Sequence, residues 1–313
     1  MTMALPFRPR PAIALADAAH AALAERVARF RHARDRFLDA PDPDPLHDVR
    51  VALRRLRAAR RLFRPDIRLP RGPRDRDLRR IGRRLADLRD LDIVLGAVEA
   101  GGARIGRPAA ELARGLTRAR ARAVEKARAR LDAGRVRDAL GALEAWVEAP
   151  RLRVAPDALV HDALPARLRE TAALVLDDPA WAFDLEQDRT GALRDDGRDT
   201  DAATLGDALH RLRRRAKRLR YQLETGAPLL GLDERAAVAA LTDVQDVLGE
   251  LQDVRVIEAW RDELDADEGR PGEEFDEWLV GRRQAALARW RRLREHRLAA
   301  VSALLEEAPD ADG

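Results

Sequence analysis

His47-Asp-Val-Arg-Val-Ala-Leu-Arg-Arg-Leu-Arg57 and His210-Arg-Leu-Arg-Arg-Arg-Ala-Lys-Arg-Leu-Arg220 lie 163 residues apart in a chain of 313. At that offset His47 falls on His210, Arg50 on Arg213, Arg54 on Lys217 and Arg57 on Arg220. Without a gap, Leu85-Ala-Asp-Leu-Arg-Asp90 then falls on Leu248-Gly-Glu-Leu-Gln-Asp253, and further on Arg120 meets Arg283 and Lys126 meets Arg289. One such match is ordinary in an arginine-rich chain. Two separated motifs at one spacing read as an internal duplication, with halves of roughly 8–150 and 151–308.

In a helix, residues three and four apart share a face. His47, Arg50, Arg54, Arg57 and Arg61 then form one cationic row, and His210, Arg213, Lys217 and Arg220 form another, closed by Glu224. Val49, Leu53 and Leu56 run opposite the first row; Leu212, Ala216, Leu219 and Leu223 run opposite the second. Each helix offers an apolar side to a bundle and a cationic side elsewhere, over a length on the order of 20 Å. Asp44 and Pro45 suit a helix start. A basic face that is merely solvated usually alternates with acids one turn away. Arg50, Arg54, Arg57 and Arg61 have no acid in their row, so something outside the row is expected to neutralise them.

Outward from these helices, breakers at Pro41–Pro45, Pro65–Pro73, Gly101–Pro108, Gly134 and Pro150–Pro156 divide the first half. Pro179, Gly191–Gly197, Pro228–Gly231 and Gly269–Gly272 divide the second. The predicted helices are 12–38, 44–64, 75–100 and 108–147, then 158–177, 202–225, 233–265 and 272–307, with 181–201 as a surface loop. Short connections favour antiparallel neighbours. The expected fold is all-α, a four-helix bundle from each half. With 36% charged residues, 4% aromatics and one Tyr, the core must be built of Ala, Leu and Val, which suits helices.

Composition removes several functions. With no cysteine, disulfides and thiolate metal sites are excluded, and a cytoplasmic setting is the default. No apolar run approaches a membrane span, and Met1–Pro11 lacks the apolar core of a signal peptide. The net charge is only +4, but stretches 46–64, 114–130, 209–224 and 282–297 each carry seven Lys/Arg against one acid, leaving the remainder acidic. Such segregation points to a polyanionic partner. Arginine in place of lysine suits bidentate phosphate contacts, and GC-rich codon usage explains the bias equally well.

The remaining candidates divide between contact and support. Arg114, Arg118, Arg122, Lys126 and Arg130 form a ladder, and Arg282, Arg289, Arg292 and His296 a looser stripe; either serves a ligand or solubility. Of six histidines only His47 and His210 coincide, each one turn before the first arginine, where an imidazole can donate to a phosphate oxygen. Asp90 and Asp253 read as carboxylates that orient neighbouring arginines. His47-Asp48 superficially resembles a metal-binding pair, but the second copy reads His210-Arg211, and His161-Asp162 is isolated. No phosphate-binding glycine loop occurs. No catalytic residue, metal or cofactor is expected.

The paired signatures at 47–57 and 210–221, with Leu-Arg-Asp-Leu-Asp-Ile at 88–93 and Leu-Gln-Asp-Val-Arg-Val at 251–256, resemble the CHAD family over nearly the whole chain. The resemblance implies two helical bundles related by a pseudo-twofold axis. It also implies a basic pore or groove between them that binds inorganic polyphosphate, with association to polyphosphate granules. The triphosphate-tunnel domain fused to many members has no counterpart here. The expected contacts are the two rows with Tyr221, and Arg122, Lys126 and Arg289 from the outer blocks. RNA or DNA binding, and less strongly a metal-dependent phosphohydrolase, stand as alternatives. The rows carry almost no aromatic or amide groups for reading bases, Tyr221 and Trp290 being the nearby aromatics.

Overall fold

The computed structural model describes residues 12–70, 78, 81–82, 85–105, 109–182, 199–264, 271–296 and 298–309, the side chains of 43, 86–87 and 199–205 excepted. Within these residues the regular structure is helical, apart from two isolated β-bridges, Ala14 with Leu159 and Ile67 with Leu152. The first half contributes α1 (Leu15–Asp39), α2 (Pro43–Leu62), α3 (Ala86–Ala100), α4 (Gly102–Ile105), α5 (Ala109–Leu131) and α6 (Gly134–Glu148). The second contributes α7 (Val160–Leu176), α8 (Asp199–Gly226), α9 (Arg235–Asp262), α10 (Glu273–His296) and α11 (Ala299–Glu306).

Both halves differ from expectation at their last helix. The single helix expected over 108–147 breaks between Leu131 and Gly134, and that over 272–307 breaks before α11. Leu298 causes the second break: it takes φ 55°, the left-handed region that a branched side chain ordinarily avoids, while its side chain stays buried. The expected loop over 181–201 falls mostly outside the described residues. Its edges are helical instead, in a 3-10 turn at Pro179–Ala182 and in the first turn of α8. Trp181 is buried there, its indole stacked on Trp290 at 4.9 Å.

The apolar stripes read from the sequence become core. Val49, Leu53 and Leu56 of α2 and Leu212, Ala216, Leu219 and Leu223 of α8 are all buried. They belong to one large cluster that also takes in α1, α7, the start of α9 and α11. A smaller cluster joins Val94, Val98 and Leu116 to Ile257, Phe275 and Leu279. Both clusters draw on both halves, so the halves share their cores.

Counterparts at the 163-residue offset pack on one another: α2 on α8, and α3 on α9. The α3–α5 contact has its equivalent in α9–α10. The backbone repeats the reciprocity, Leu15 N–H donating to Ala158 while Val160 N–H donates to Ile13. These paired contacts set α2 and α8 side by side.

Asp66, just past α2, fastens the halves. Its carboxylate is buried and receives both terminal nitrogens of Arg167 from α7; Arg167 also donates to the Leu62 carbonyl at 3.0 Å. Removing one partner of a buried pair strands the other. Arg167→Met is therefore expected to cost about 3–5 kcal/mol in urea unfolding, and Asp66→Leu combined with Arg167→Met to recover most of it. A single variant as stable as the parent would contradict this.

Candidate polyanion cleft

With the apolar sides of α2 and α8 buried, parts of their cationic rows, Arg50 and Arg54 from α2 and Arg213 and Lys217 from α8, come within electrostatic reach of one another. Three guanidiniums are held there by specific acceptors. Arg50 donates to the Leu85 carbonyl at 2.7 Å, in the turn before α3, and Arg213 donates through Nε to the Gln245 carbonyl of α9 at 3.3 Å. Arg54 donates through Nε to the Tyr221 hydroxyl at 3.4 Å, crossing from α2 to α8. Gly249 makes room for Arg213: a Cβ at that position would sit 2.7 Å from its Nη2. Ala86 is the residue that corresponds to Gly249 at the 163-residue offset.

Arg89 of α3 completes the group. It pairs with Asp253 of α9 at 3.2 Å and lies close enough to Arg50, Arg213 and Lys217 to perturb all three. The candidate rows omit it. Its signal in the sequence was the departure between copies, Arg89 against Gln252, which places an extra cation next to a recurring Asp. Asp253 takes the orienting role read from the sequence, and Asp90 acts electrostatically on Arg50.

The charges crowd one another. Burial, then Arg54 and Arg89, bring Arg50 down to about 10, with Asp90 opposing. Arg213 is lowered by burial and by Arg89 and Arg54, against Asp253 and Asp246. Lys217 is the extreme case. Mostly buried, and facing Arg213, Arg54, Arg89 and Arg50 in that order of influence, its amine is pushed down to about 6. His47 and His210 are solvent-exposed at the ends of the rows. Partial desolvation and then neighbouring arginines hold both below the ordinary imidazole range, which leaves them neutral at pH 7.

Other expected contacts sit differently. Tyr221 is 2% exposed; its hydroxyl accepts from Arg54 and from Arg220 (3.0 Å), and the Arg220 guanidinium lies over its ring at 4.7 Å. It props the arginines from beneath rather than facing the cleft. Arg220 is occupied with Tyr221, Thr242 and Glu224. At the far end Arg61 of α2 approaches Arg218 of α8 closely enough to depress it. Arg57 has internal interactions of its own. Arg122 and Lys126, with Arg130, line a separate groove of about 230 Å³ between α3 and α5. Arg289 is exposed on α10, and no hydrogen bond or ion pair ties it to the cleft among the described residues. Much of the outer basic charge is neutralised internally: Arg120 by Asp92, Arg282 by Glu250 and Arg283 by Glu258. Asp48 pairs with Arg36 of α1 at 2.8 Å. Among the described residues no group of three metal-ligating side chains occurs, and no helix is long and apolar enough to cross a membrane.

A family model described as the CHAD domain matches residues 21–262. Among solved structures, the chain is similar to the CHAD domain from the plant Ricinus communis, at 25% identity over 98% of this chain and 99% of that one, with a TM-score of 0.62. It shares its fold with PptA from Streptomyces chartreusis, at 19% identity over 94% and 98% of the two chains and a TM-score of 0.56. No curated protein matches the sequence.

The depressed Lys217 has a stability signature. Its folded value, about 6, lies below the ordinary 10.5, so between those limits the unfolded chain binds the extra proton. Stability therefore rises with pH through this window. Lys217→Met keeps the stem and removes the amine. It is expected to flatten the rise between pH 6 and 9 and to add about 1 kcal/mol or more at pH 7. Unfolding midpoints that show the same slope in parent and variant would place the amine in solvent.

Proposed function

We propose, for a chain that belongs to the CHAD domain family, that the seam between α2 and α8 binds inorganic polyphosphate. One observation carries the reading: Arg50 from one half and Arg213 and Lys217 from the other are each held below their ordinary values by burial and by the neighbouring charges of Arg54 and Arg89. A fold bears such mutual repulsion most readily where a ligand relieves it. Polyphosphate supplies about one negative charge per phosphate on a flexible chain without bases, which asks for closely spaced cations on a rigid frame and little else. Guanidiniums already fixed by backbone carbonyls and by Tyr221 keep free N–H groups for bidentate contact, at little further entropic cost. His47 and His210 would donate single hydrogen bonds at the ends of the path. The Arg122–Lys126 groove offers a continuation for a longer polymer. The setting that follows is cytoplasmic, at polyphosphate granules.

Binding without catalysis fits the side chains present. Hydrolysis would need a metal or a general base beside the phosphate, and Asp48, the nearest candidate in sequence, is engaged by Arg36. RNA is the second reading, since charge alone attracts it. The buried Tyr221 offers no stacking surface, which favours the polymer that has no bases.

Charge reversal tests the site. Arg54→Glu combined with Arg57→Glu is expected to weaken polyphosphate binding by about 100-fold or more, with the circular dichroism spectrum unchanged. For the parent, the four guanidiniums imply a slope of about −3 in log affinity against log salt, taking the single-strand coefficient. Undiminished binding by the variant would place the site elsewhere. RNA outcompeting long polyphosphate at equal phosphate concentration would reverse the choice of ligand. Phosphate release with Mg²⁺ or Mn²⁺, lost on His47→Ala, would establish an enzyme.

A further inference from the structure

A second basic site opens on another side of α2. Asp48, Val51 and Arg55 each follow a member of the cationic row by one residue, which places them about 100° round the helix from His47, Arg50 and Arg54. Between that face and α1 lies a cavity of about 470 Å³. Arg26, Arg29, His32 and Arg36 of α1 and Asp48 and Arg55 of α2 supply its polar lining, and Ala33, Val51 and Ala52 an apolar wall.

Small residues make the room. At the 163-residue offset Val51 and Ala52 fall on Arg214 and Arg215. In the second half Arg215 reaches the end of α7, donating to Asp178 at 2.7 Å and to the Leu174 carbonyl at 3.2 Å. The first half leaves that space open.

Charge is the other feature. Glu25 takes Arg29 at 2.8 Å and Arg26 at 3.4 Å, Asp48 takes Arg36 at 2.8 Å, and Glu224 takes Arg55 at 3.0 Å and Arg220 at 3.5 Å. Five guanidiniums therefore draw on three carboxylates. Arg26 is the worst served. Its side chain is 11% exposed, its ion pair with Glu25 is long, and its buried Nε finds no hydrogen-bond acceptor among the described residues. Burial, with Arg55 and Arg29, lowers it against the pull of Glu25 and Glu224. A buried donor left short of acceptors calls for a compensating group, and an anion beside Arg26 and Arg55 is one.

We propose that this cavity binds a small organic phosphate of nucleotide size, its phosphates beside Arg26 and Arg55 and its ring body against Ala33, Val51 and Ala52. The volume falls among those of small-molecule sites and is more than a bare phosphate needs. The apolar wall has nothing to offer an inorganic anion and suits a carbon body. Arg29 and Arg36, exposed at the rim, carry planar guanidiniums that stack on flat rings. The site is separate from the polyphosphate cleft and does not rest on that reading.

ADP and pyrophosphate carry similar charge and differ by the nucleoside, so the pair tests the assignment. Each is titrated calorimetrically into the full chain at fixed salt without divalent metal, with polyphosphate binding measured on the same preparations. ADP is expected to saturate a single site and to bind at least about ten times more tightly than pyrophosphate. Val51→Arg, which copies the second half, is expected to fill the cavity and weaken ADP about tenfold or more, with polyphosphate affinity unchanged. Arg26→Met keeps the stem, removes the buried guanidinium and is expected to have the same effect; it decides the matter where Val51→Arg does not fold. Arg54→Glu with Arg57→Glu is expected to show the reverse, with polyphosphate lost and ADP retained. ADP lost in that double variant and kept in Arg26→Met places it in the cleft and overturns the proposal. Pyrophosphate binding as tightly as ADP overturns the organic body. No ADP binding below about 1 mM overturns the site itself.

Discussion

The structure is organised around a repulsion. Two helices with cationic faces are pressed together by apolar stripes on their other sides, and the charges have nowhere to separate. Val49, Leu53 and Leu56 on α2, and Leu212, Ala216, Leu219 and Leu223 on α8, are committed to the large core. Each large aliphatic side chain so buried contributes about 1.5–3 kcal/mol, so the six Val and Leu side chains together outweigh a few unfavourable contacts between guanidiniums. The cost is further limited by anchors that spread each charge onto an acceptor: the Leu85 and Gln245 carbonyls, the Tyr221 hydroxyl and the Asp253 carboxylate. None of these anchors uses up a guanidinium, since each engages one or two of its five N–H groups. The remainder is available, prealigned and poorly solvated, which makes it effective toward an incoming anion.

Packing of corresponding helices brings cations of two basic helices together. A single row of arginines on an outer helix can shed its repulsion into water or onto acids, as Arg120 does with Asp92 and Arg282 with Glu250. A row that meets its own counterpart cannot. Placing corresponding helices against each other, α2 on α8 and α3 on α9, guarantees that like faces like. The same geometry accounts for the shared cores and for Asp66 and Arg167, which hold the halves where their charges oppose separation. The fold spends packing energy to keep the cations close.

What was legible in the chain followed from period and offset. The stripes at helical spacing became core, and Arg50, Arg54, Arg213 and Lys217 of the two rows lie within electrostatic reach of one another because α2 packs on α8. What was not legible depended on contacts between distant segments. The contrast of Arg89 with Gln252 is its one local mark, and its place among the cations follows from α3 packing on α9 and from Asp253 holding it there. Tyr221 reads as an aromatic on a binding face, but the close approach of α2 covers its ring and leaves it a support. The outer blocks look like free charge until Asp92, Glu250 and Glu258 arrive from neighbouring helices. Leu298 carries no mark of a break, since left-handed φ at a leucine is imposed by the packing around it.

The departures from symmetry carry as much information as the symmetry. Position 54 is arginine and its partner at 217 is lysine, at the most crowded point of the cleft. Five guanidiniums there would all stay charged, because none yields its proton near neutral pH. A lysine can, and with its amine near 6 it removes one charge from the crowd when no ligand is present. Gly249 against Ala86 follows the same logic in steric form, since the missing Cβ lets Arg213 settle against α9 rather than crowd Lys217 further. The second half is thus the adjustable side of the cleft. Under the proposed reading, an anion entering it would raise the affinity of Lys217 for a proton, so the cleft would gain positive charge as ligand charge accumulates and the match between the two would improve as the site fills.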